Sequence, residues 1–277
     1  MADGSMELKA VSYERVGRVA VVTLNRPHRN NAWTGRMHTE YRRCFAMAEA
    51  DSDVRAVVVT GAGSSFCVGA DSDALAKEAD AGHYVPGVAP DAARPGYGAR
   101  PESDHDLIWH WGLRMPVVMA VNGACAGVAL ALACFGDVRF VAADAKLTTA
   151  SARLGLPAEF GLSWMLPRLV GVTRAADLLL SCRKFTGEEA AKWGLALEAL
   201  PATEVLPAAL AYADLLAEQM SPASLAATKR QIYDDIVSSD AGMAVVRSLR
   251  LTDEMMGGAD FREGVAALRE RRPPRFA

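Results

Sequence analysis

With 277 residues, 51% hydrophobic and 23% charged, the chain can bury a large core as one big domain or two modest ones. Thirty basic against thirty-three acidic side chains leave a net charge of -3, which excludes a broad basic field for nucleic acid or an anionic membrane, so any anionic ligand must be held locally. The odd set of five cysteines (Cys44, Cys67, Cys125, Cys134, Cys182) has no CxxC pair and fits reduced, mostly buried thiols. The N-terminus lacks leader character and no apolar run approaches the roughly 20 residues that span a bilayer, so a cytoplasmic protein with no membrane partner is expected.

In chain order, "RVAVVTLN" (18 to 25) and "VRAVVVTG" (54 to 61) are short β-branched runs ending in turn residues, with the amphipathic "TGRMHTEYRRCFAMAEAD" between them. That pattern predicts a βαβ unit with a buried parallel pair. The stretch 79 to 104, with scattered glycine and proline, reads either as a surface loop or as a flap over a pocket. "MPVVMAVNG" (115 to 123) and "DVRFVAA" (137 to 143) predict two more strands around the small-residue segment "ACAGVALALACFG". From about residue 172 onward strands are expected to stop, dividing a core at 1 to 171 from a helical region at 172 to 277. Helix starts are marked by Thr186 with Glu189, by Ser221-Pro222, and by Asp260 with Glu263.

Several chemistries lose their main support. The chain has no GxxxxGK[ST], no GxGxxG opening a helix, no HExxH and no GxSxG. His28, His38, His83, His105 and His110 show no ligand spacing, so neither a metal nor a separate cofactor is expected. What remains is a pair of glycine-rich turns, "TGAGSSFCVGAD" (60 to 71) and "VNGACAGVALALACFGD" (121 to 137). Backbone N–H groups at such strand-to-helix turns lack intrahelical acceptors, and two of them converging on one point form an oxyanion hole; small residues that merely allow close packing are the competing explanation.

Taken with "VVTLNRPHRNNAW" and "LPRLVG", these turns resemble the crotonase (enoyl-CoA hydratase/isomerase) superfamily, in order and spacing, from about residue 8 to the C-terminal "EGVAALRERRPPRF". The resemblance implies an α/β spiral of repeated ββα units with a C-terminal helical region, assembled as a trimer or a dimer of trimers. It implies an acyl-CoA thioester as substrate, coenzyme A entering only as part of it, with the carbonyl held by the N–H groups of Ala70 and Val128. Val68, Asp71 and Gly127 flank these positions and count with the substrate-binding residues. At 128 the family usually has glycine; the valine can still donate its N–H, although its isopropyl group crowds the cleft.

The chemistry follows from the thioester. Two hydrogen bonds on its oxygen, each worth about 3 kcal/mol, make the adjacent carbon acidic enough for a carboxylate to deprotonate. Hydratases of the family place one glutamate three residues beyond the second donor and another after a proline in the next segment. Here those positions hold Ala131 and Ser151, after Ala150. Hydration ordinarily shares its proton transfers between two carboxylates, whereas moving a double bond from the 3 to the 2 position needs one group.

Between Asp144 and Asp177 the one acid is Glu159, in "GLPAEFG". Its place four residues after Gly155 resembles the catalytic glutamate of the peroxisomal branch of Δ3,Δ2-enoyl-CoA isomerases. Burial by Leu156, Phe160 and Leu162 would strengthen it as a base, whereas pairing with Arg153 would weaken it. Isomerisation with Glu159 as base is therefore the favoured function. The alternatives are a hydratase or hydrolase using a non-standard acid such as Asp71, and a protein that binds acyl-CoA without catalysis.

Other residues take humbler expectations. Asp71 reads as a helix cap, Asp137 and Arg139 as a structural pair, Trp164 and Trp193 as core or acyl-pocket lining, Cys67 as a buried thiol, and Ser151 as no nucleophile, since the sequence identifies no base for it. Arg26, Arg29 and Lys229 or Arg271 are the cations the resemblance suggests for the coenzyme A phosphates.

Overall fold

The computed structural model describes residues 7–83, 87 and 107–276. The chain begins with a hairpin, β1 (Val11–Val16) and β2 (Val19–Leu24), followed by helix α1 (Gly35–Ala50), which Thr34 caps by accepting from the Met37 N–H. Three further ββα units follow: β3 (Ala56–Gly61), β4 (Ser65–Cys67) and α2 (Ser72–Ala81); β5 (Val117–Val121), β6 (Ala124–Ala126) and α3 (Val128–Cys134); β7 (Val138–Ala142), β8 (Lys146–Thr148) and α4 (Leu162–Val170). Helix α5 (Val172–Ser181), strand β9 (Phe185–Thr186), helix α6 (Gly187–Lys192) and strand β10 (Glu198–Leu200) lead to four helices, α7 (Ala202–Gln219), α8 (Pro222–Ile236), α9 (Ala241–Met256) and α10 (Ala259–Glu270).

Both strands of the hairpin and the first strand of each later unit enter a six-stranded sheet of order β1-β2-β3-β5-β7-β10, and the second strand of each later unit enters a four-stranded sheet of order β4-β6-β8-β9. The two β-branched pairs expected to run parallel do so, β2 with β3 and β5 with β7. Those strands are hidden on both faces, which is why they read as unbroken apolar runs.

Two expectations need correction. Strands do not stop at residue 171: β9 joins the small sheet and β10 extends the large one beside β7, so the sheets cross the 171/172 boundary. Segments of two or three residues are too short to show a period of two. Likewise Asp260 does not cap α10; Gly258 is the cap, and Asp260 sits in the first turn accepting from the Ser221 hydroxyl. The capping box of Thr186 and Glu189 and the Ser221 cap form as expected. Most of the 79 to 104 stretch lies outside the described residues, its first three residues finishing α2. No described helix is long and apolar enough to cross a membrane, and all five cysteines are free, buried thiols.

Two polar contacts tie the core together. Buried Glu40 of α1 accepts from the backbone N–H groups of Lys9, Ala10 and Val11 and from Arg36, pinning the entry to β1. Tyr41, one residue on, shares a 3.0 Å hydrogen bond with Nε2 of fully buried His110. Burial, with Lys229 nearby, pushes His110 down from 6.5 to about 3. A base whose folded value is depressed contributes stability above its unfolded value, and that contribution drains away as pH falls from 6.5 through about 3. The urea midpoint of the parent is expected to fall between pH 7 and pH 5, and His110→Gln to flatten that fall; parallel declines would exclude His110 as its source.

Candidate active site

The two glycine turns are brought together by the small sheet. Strands β4 and β6 run parallel and adjacent, pairing Ser65 with Ala124 and Cys67 with Cys125, and each leads into a glycine in the left-handed region. Gly69 has φ +98°, and a Cβ there would stand 3.1 Å from the Ala126 carbonyl, so the turns touch. Gly127 has φ 54° and ψ -122°, a combination glycine adopts at no steric cost.

The residue after each glycine is a donor candidate. Ala70 forms a parallel bridge with Trp33, in which the Trp33 N–H donates to Gly69 and the Asp71 N–H to Trp33. In such a bridge the N–H of Ala70 itself points away from Trp33. Val128 is the first residue of α3, where an N–H has no intrahelical acceptor. Among the described residues neither N–H has a protein acceptor.

Both line one cavity of about 140 Å³, together with Val68, Gly127 and Glu159. The valine side chain is buried in the wall, and helical geometry at Val128 overrides its β preference. Because a Cβ on Gly127 would meet only the Thr149 carbonyl, at 3.9 Å, the cost of Gly127→Ala is conformational and falls on the peptide carrying the Val128 N–H. We expect that variant to keep its fold by circular dichroism while kcat drops about 10²-fold, as when one oxyanion donor is lost. Parent-like kcat would show that the Val128 N–H is not used.

Glu159 arrives from an irregular stretch. After β8 the chain makes a 3-10 turn, Ser151–Leu154, opened by Ala150 at φ +65°, and after Glu159 both Phe160 (φ +53°) and Gly161 (φ +74°) are left-handed before α4 begins. The Ser151 hydroxyl donates to Glu159 Oε2 at 2.8 Å. Arg153 forms no ion pair with Glu159 among the described residues. The expected apolar jacket is incomplete: Leu162 is buried, but Leu156 is 41% exposed and Glu159 itself half-buried. Neither of the two hydratase positions lines the cavity: Ala131 is wholly buried inside α3, and the buried Ser151 side chain is turned to Glu159.

The remaining candidates are dispersed. Asp71 caps α2 through the Asp73 N–H and takes salt bridges from Arg26 at 3.0 Å and Arg29 at 3.2 Å. Burial alone would raise its carboxyl, but the Asp73 N–H, Arg26 and Arg29 outweigh it and hold the group below the usual range. Arg26 is further committed to the Ala32 carbonyl. Asp71 and Arg26 border a second cavity of about 380 Å³ that shares Thr34, Gly35 and Ala74 with the first.

Lys229 is not a rim cation. Its side chain is 5% exposed, donating to Asp137 at 2.7 Å and to the Met115 carbonyl at 2.9 Å. Asp137 and Arg139 do not pair with each other: Arg139 donates to the carbonyls of Leu195 and Gly136, while Asp137 serves Lys229, Tyr233 and the Val117 N–H. Arg271 follows α10 and borders neither cavity, and Trp164 and Trp193 line neither cavity but pack partly buried against the core, with Arg168 and Arg174 over their rings.

Among the wall residues that sequence reasoning missed, three bear on the chemistry. Trp33 lines the first cavity, Glu78 stands in its wall on α2, and Lys77 lines the second. Ala74, Leu75 and Glu78 fall at helical spacing beyond the Asp71 cap, so the capped helix carried the signal for that face.

A profile of the enoyl-CoA hydratase/isomerase family matches residues 14–277. A Rhodobacter capsulatus protein named "Probable enoyl-CoA hydratase" is 36% identical over 271 residues, 98% of this chain and 99% of that one. The 1,2-epoxyphenylacetyl-CoA isomerase of Escherichia coli is 31% identical, covering 93% of this chain and 94% of its own. The crystal structure of a probable enoyl-CoA hydratase/isomerase from Mycobacterium abscessus superposes with a TM-score of 0.84 at 33% identity, covering 96% of this chain and 98% of that one. With two glycine turns meeting across one small sheet and similarity running nearly end to end, this chain is a crotonase-fold member of the enoyl-CoA hydratase/isomerase family.

Proposed function

We propose that the protein takes an acyl-CoA thioester and moves a double bond from the 3 to the 2 position through an enolate, with Glu159 as the base. The observation that carries this reading is that Glu159 shares a cavity with Ala70 and Val128 while the two hydratase positions hold Ala131 and Ser151. The thioester oxygen sits on the two N–H groups, and the carboxylate removes a proton from C2 and returns it at C4. Charge for the phosphates comes from Lys77 and Arg29, both at the surface beside the second cavity's edge, and Lys77 has no ion-pair partner among the described residues.

Glu78 supports a second reading. A second carboxylate in the same wall supplies what water addition needs, and the relatives most often carry the name hydratase. One pair of assays separates the two: 3-enoyl-CoA followed for double-bond migration and 2-enoyl-CoA for water addition. Migration without hydration sustains the isomerase; hydration that Glu78→Gln abolishes overturns it in favour of the second reading. Binding of both esters with turnover of neither would leave a non-catalytic acyl-CoA-binding protein.

Self-association as a trimer or a dimer of trimers belongs to the same proposal. It is supported by the apolar residues α9 and α10 leave exposed, among them Val245, Leu249, Phe261 and Leu268. Sedimentation that gives a monomer would remove it.

A further inference from the structure

We infer that Ser151 is a positioning residue for Glu159, holding one carboxylate oxygen so that the other alone carries the transferred proton. This rests on Glu159 acting as the base. Ser151 is tied into its turn: its side chain is buried, its N–H donates to the Thr149 carbonyl at 2.9 Å, its own carbonyl accepts from Leu156 at 3.1 Å, and its hydroxyl, 3.4 Å from the Thr149 carbonyl, has Glu159 as the nearer acceptor. Left-handed Ala150 before it and left-handed Phe160 after Glu159 turn the two side chains toward each other across eight residues. The hydroxyl meets Glu159 Oε2 at 2.8 Å, and Oε1 has no protein partner among the described residues.

The same contact pairs a hydroxyl with a base, the arrangement that would activate a serine nucleophile. Position decides against that role. Ala150, Leu154, Leu156 and Glu159 line the cavity and Ser151 does not, so its hydroxyl is not presented to a thioester held there.

A carboxylate fixed at one oxygen cannot turn over between its two proton transfers. The C2–H bond breaks as Oε1–H forms and the enolate appears; Oε1–H then breaks as C4–H forms, and the double bond has moved with the same proton on one face. Freed of the serine, the protonated carboxyl rotates, meets water and exchanges before returning its proton.

The test measures kcat, KM and deuterium uptake at C4 in heavy water, with a 3-enoyl-CoA as substrate. For Ser151→Ala we expect kcat about ten- to a hundredfold lower with KM within about twofold, and more deuterium at C4. Ser151→Thr keeps a hydroxyl and should restore the parent's low exchange. Ser151→Cys fills the space with a weak donor and should behave like alanine, which keeps the test decisive if the alanine variant folds poorly. Parent-like kcat and exchange in the alanine and cysteine variants, or a rise in KM alone, overturns the inference while leaving Glu159 as base. A Glu159→Gln enzyme as fast as the parent overturns both.

Discussion

Glu159→Gln is expected to lower kcat for double-bond migration by about 10²- to 10⁴-fold, the usual contribution of a positioned general base. KM should stay close to the parent's, because glutamine has the same shape and its amide oxygen can still accept from the Ser151 hydroxyl, 2.8 Å from the native carboxylate. The loop between β8 and α4 therefore keeps its path, and the experiment removes basicity without removing structure. Glu159→Asp makes the complementary point. It retains the charge on a side chain one methylene shorter, so it breaks the Ser151 contact and should fall between glutamine and parent. Steady-state rates on a 3-enoyl-CoA check all three, and an active glutamine variant would move the base elsewhere, with Glu78 the next carboxylate in the cavity wall.

The largest loss of stability is expected from Asp137→Ala. Asp137 accepts from Lys229 at 2.7 Å, from the Tyr233 hydroxyl at 2.6 Å and from the Val117 N–H at 2.6 Å, so one carboxylate joins α8 to the start of β5. Burial pushes the Lys229 ammonium down from its ordinary range, and Asp137 is the main opposing influence. Removing the acid strands a buried cation, which costs about 3 to 5 kcal/mol. The thermal midpoint should fall by roughly 6 to 20 °C for a chain of this size. Removing both charges tests the cause: Asp137→Asn with Lys229→Met should lose less than the alanine substitution alone. A midpoint unchanged in Asp137→Ala would mean that water reaches Lys229.

How much of this was legible in the sequence depended on the length over which each signal is written. The runs that became β2, β3, β5 and β7 are five or six residues long and hidden on both faces, so their β-branched composition was plain. Strands β4, β6 and β8 have three residues each, too few to show a period of two, and β4 and β6 also lie inside the glycine turns. The candidate donor positions Ala70 and Val128 are legible through the family resemblance of their two glycine turns, and the structure gives Gly69 and Gly127 a backbone reason, positive φ. Glu159 is legible by elimination among acids together with the family resemblance of its place four residues after Gly155. Lys229 misled because a cation's type does not disclose its burial, and its partner lies 92 residues away. Lys77 and Glu78 were missed because their direction depends on how α2 is rotated, and the Ser151 contact because it is made by left-handed residues at 150 and 160.

The candidate donors and the candidate base belong to different parts of the architecture. Ala70 and Val128 follow two adjacent parallel strands, whereas Glu159 hangs on the irregular run from 149 to 161, carried by Ala150, Gly155, Phe160 and Gly161 in left-handed geometry. In the proposed reaction, recognition of the thioester and the fate of its proton are thus separable by surgery. Grafting that short run from a relative with a different acid should change which product forms while the scaffold goes on binding the same half of the substrate.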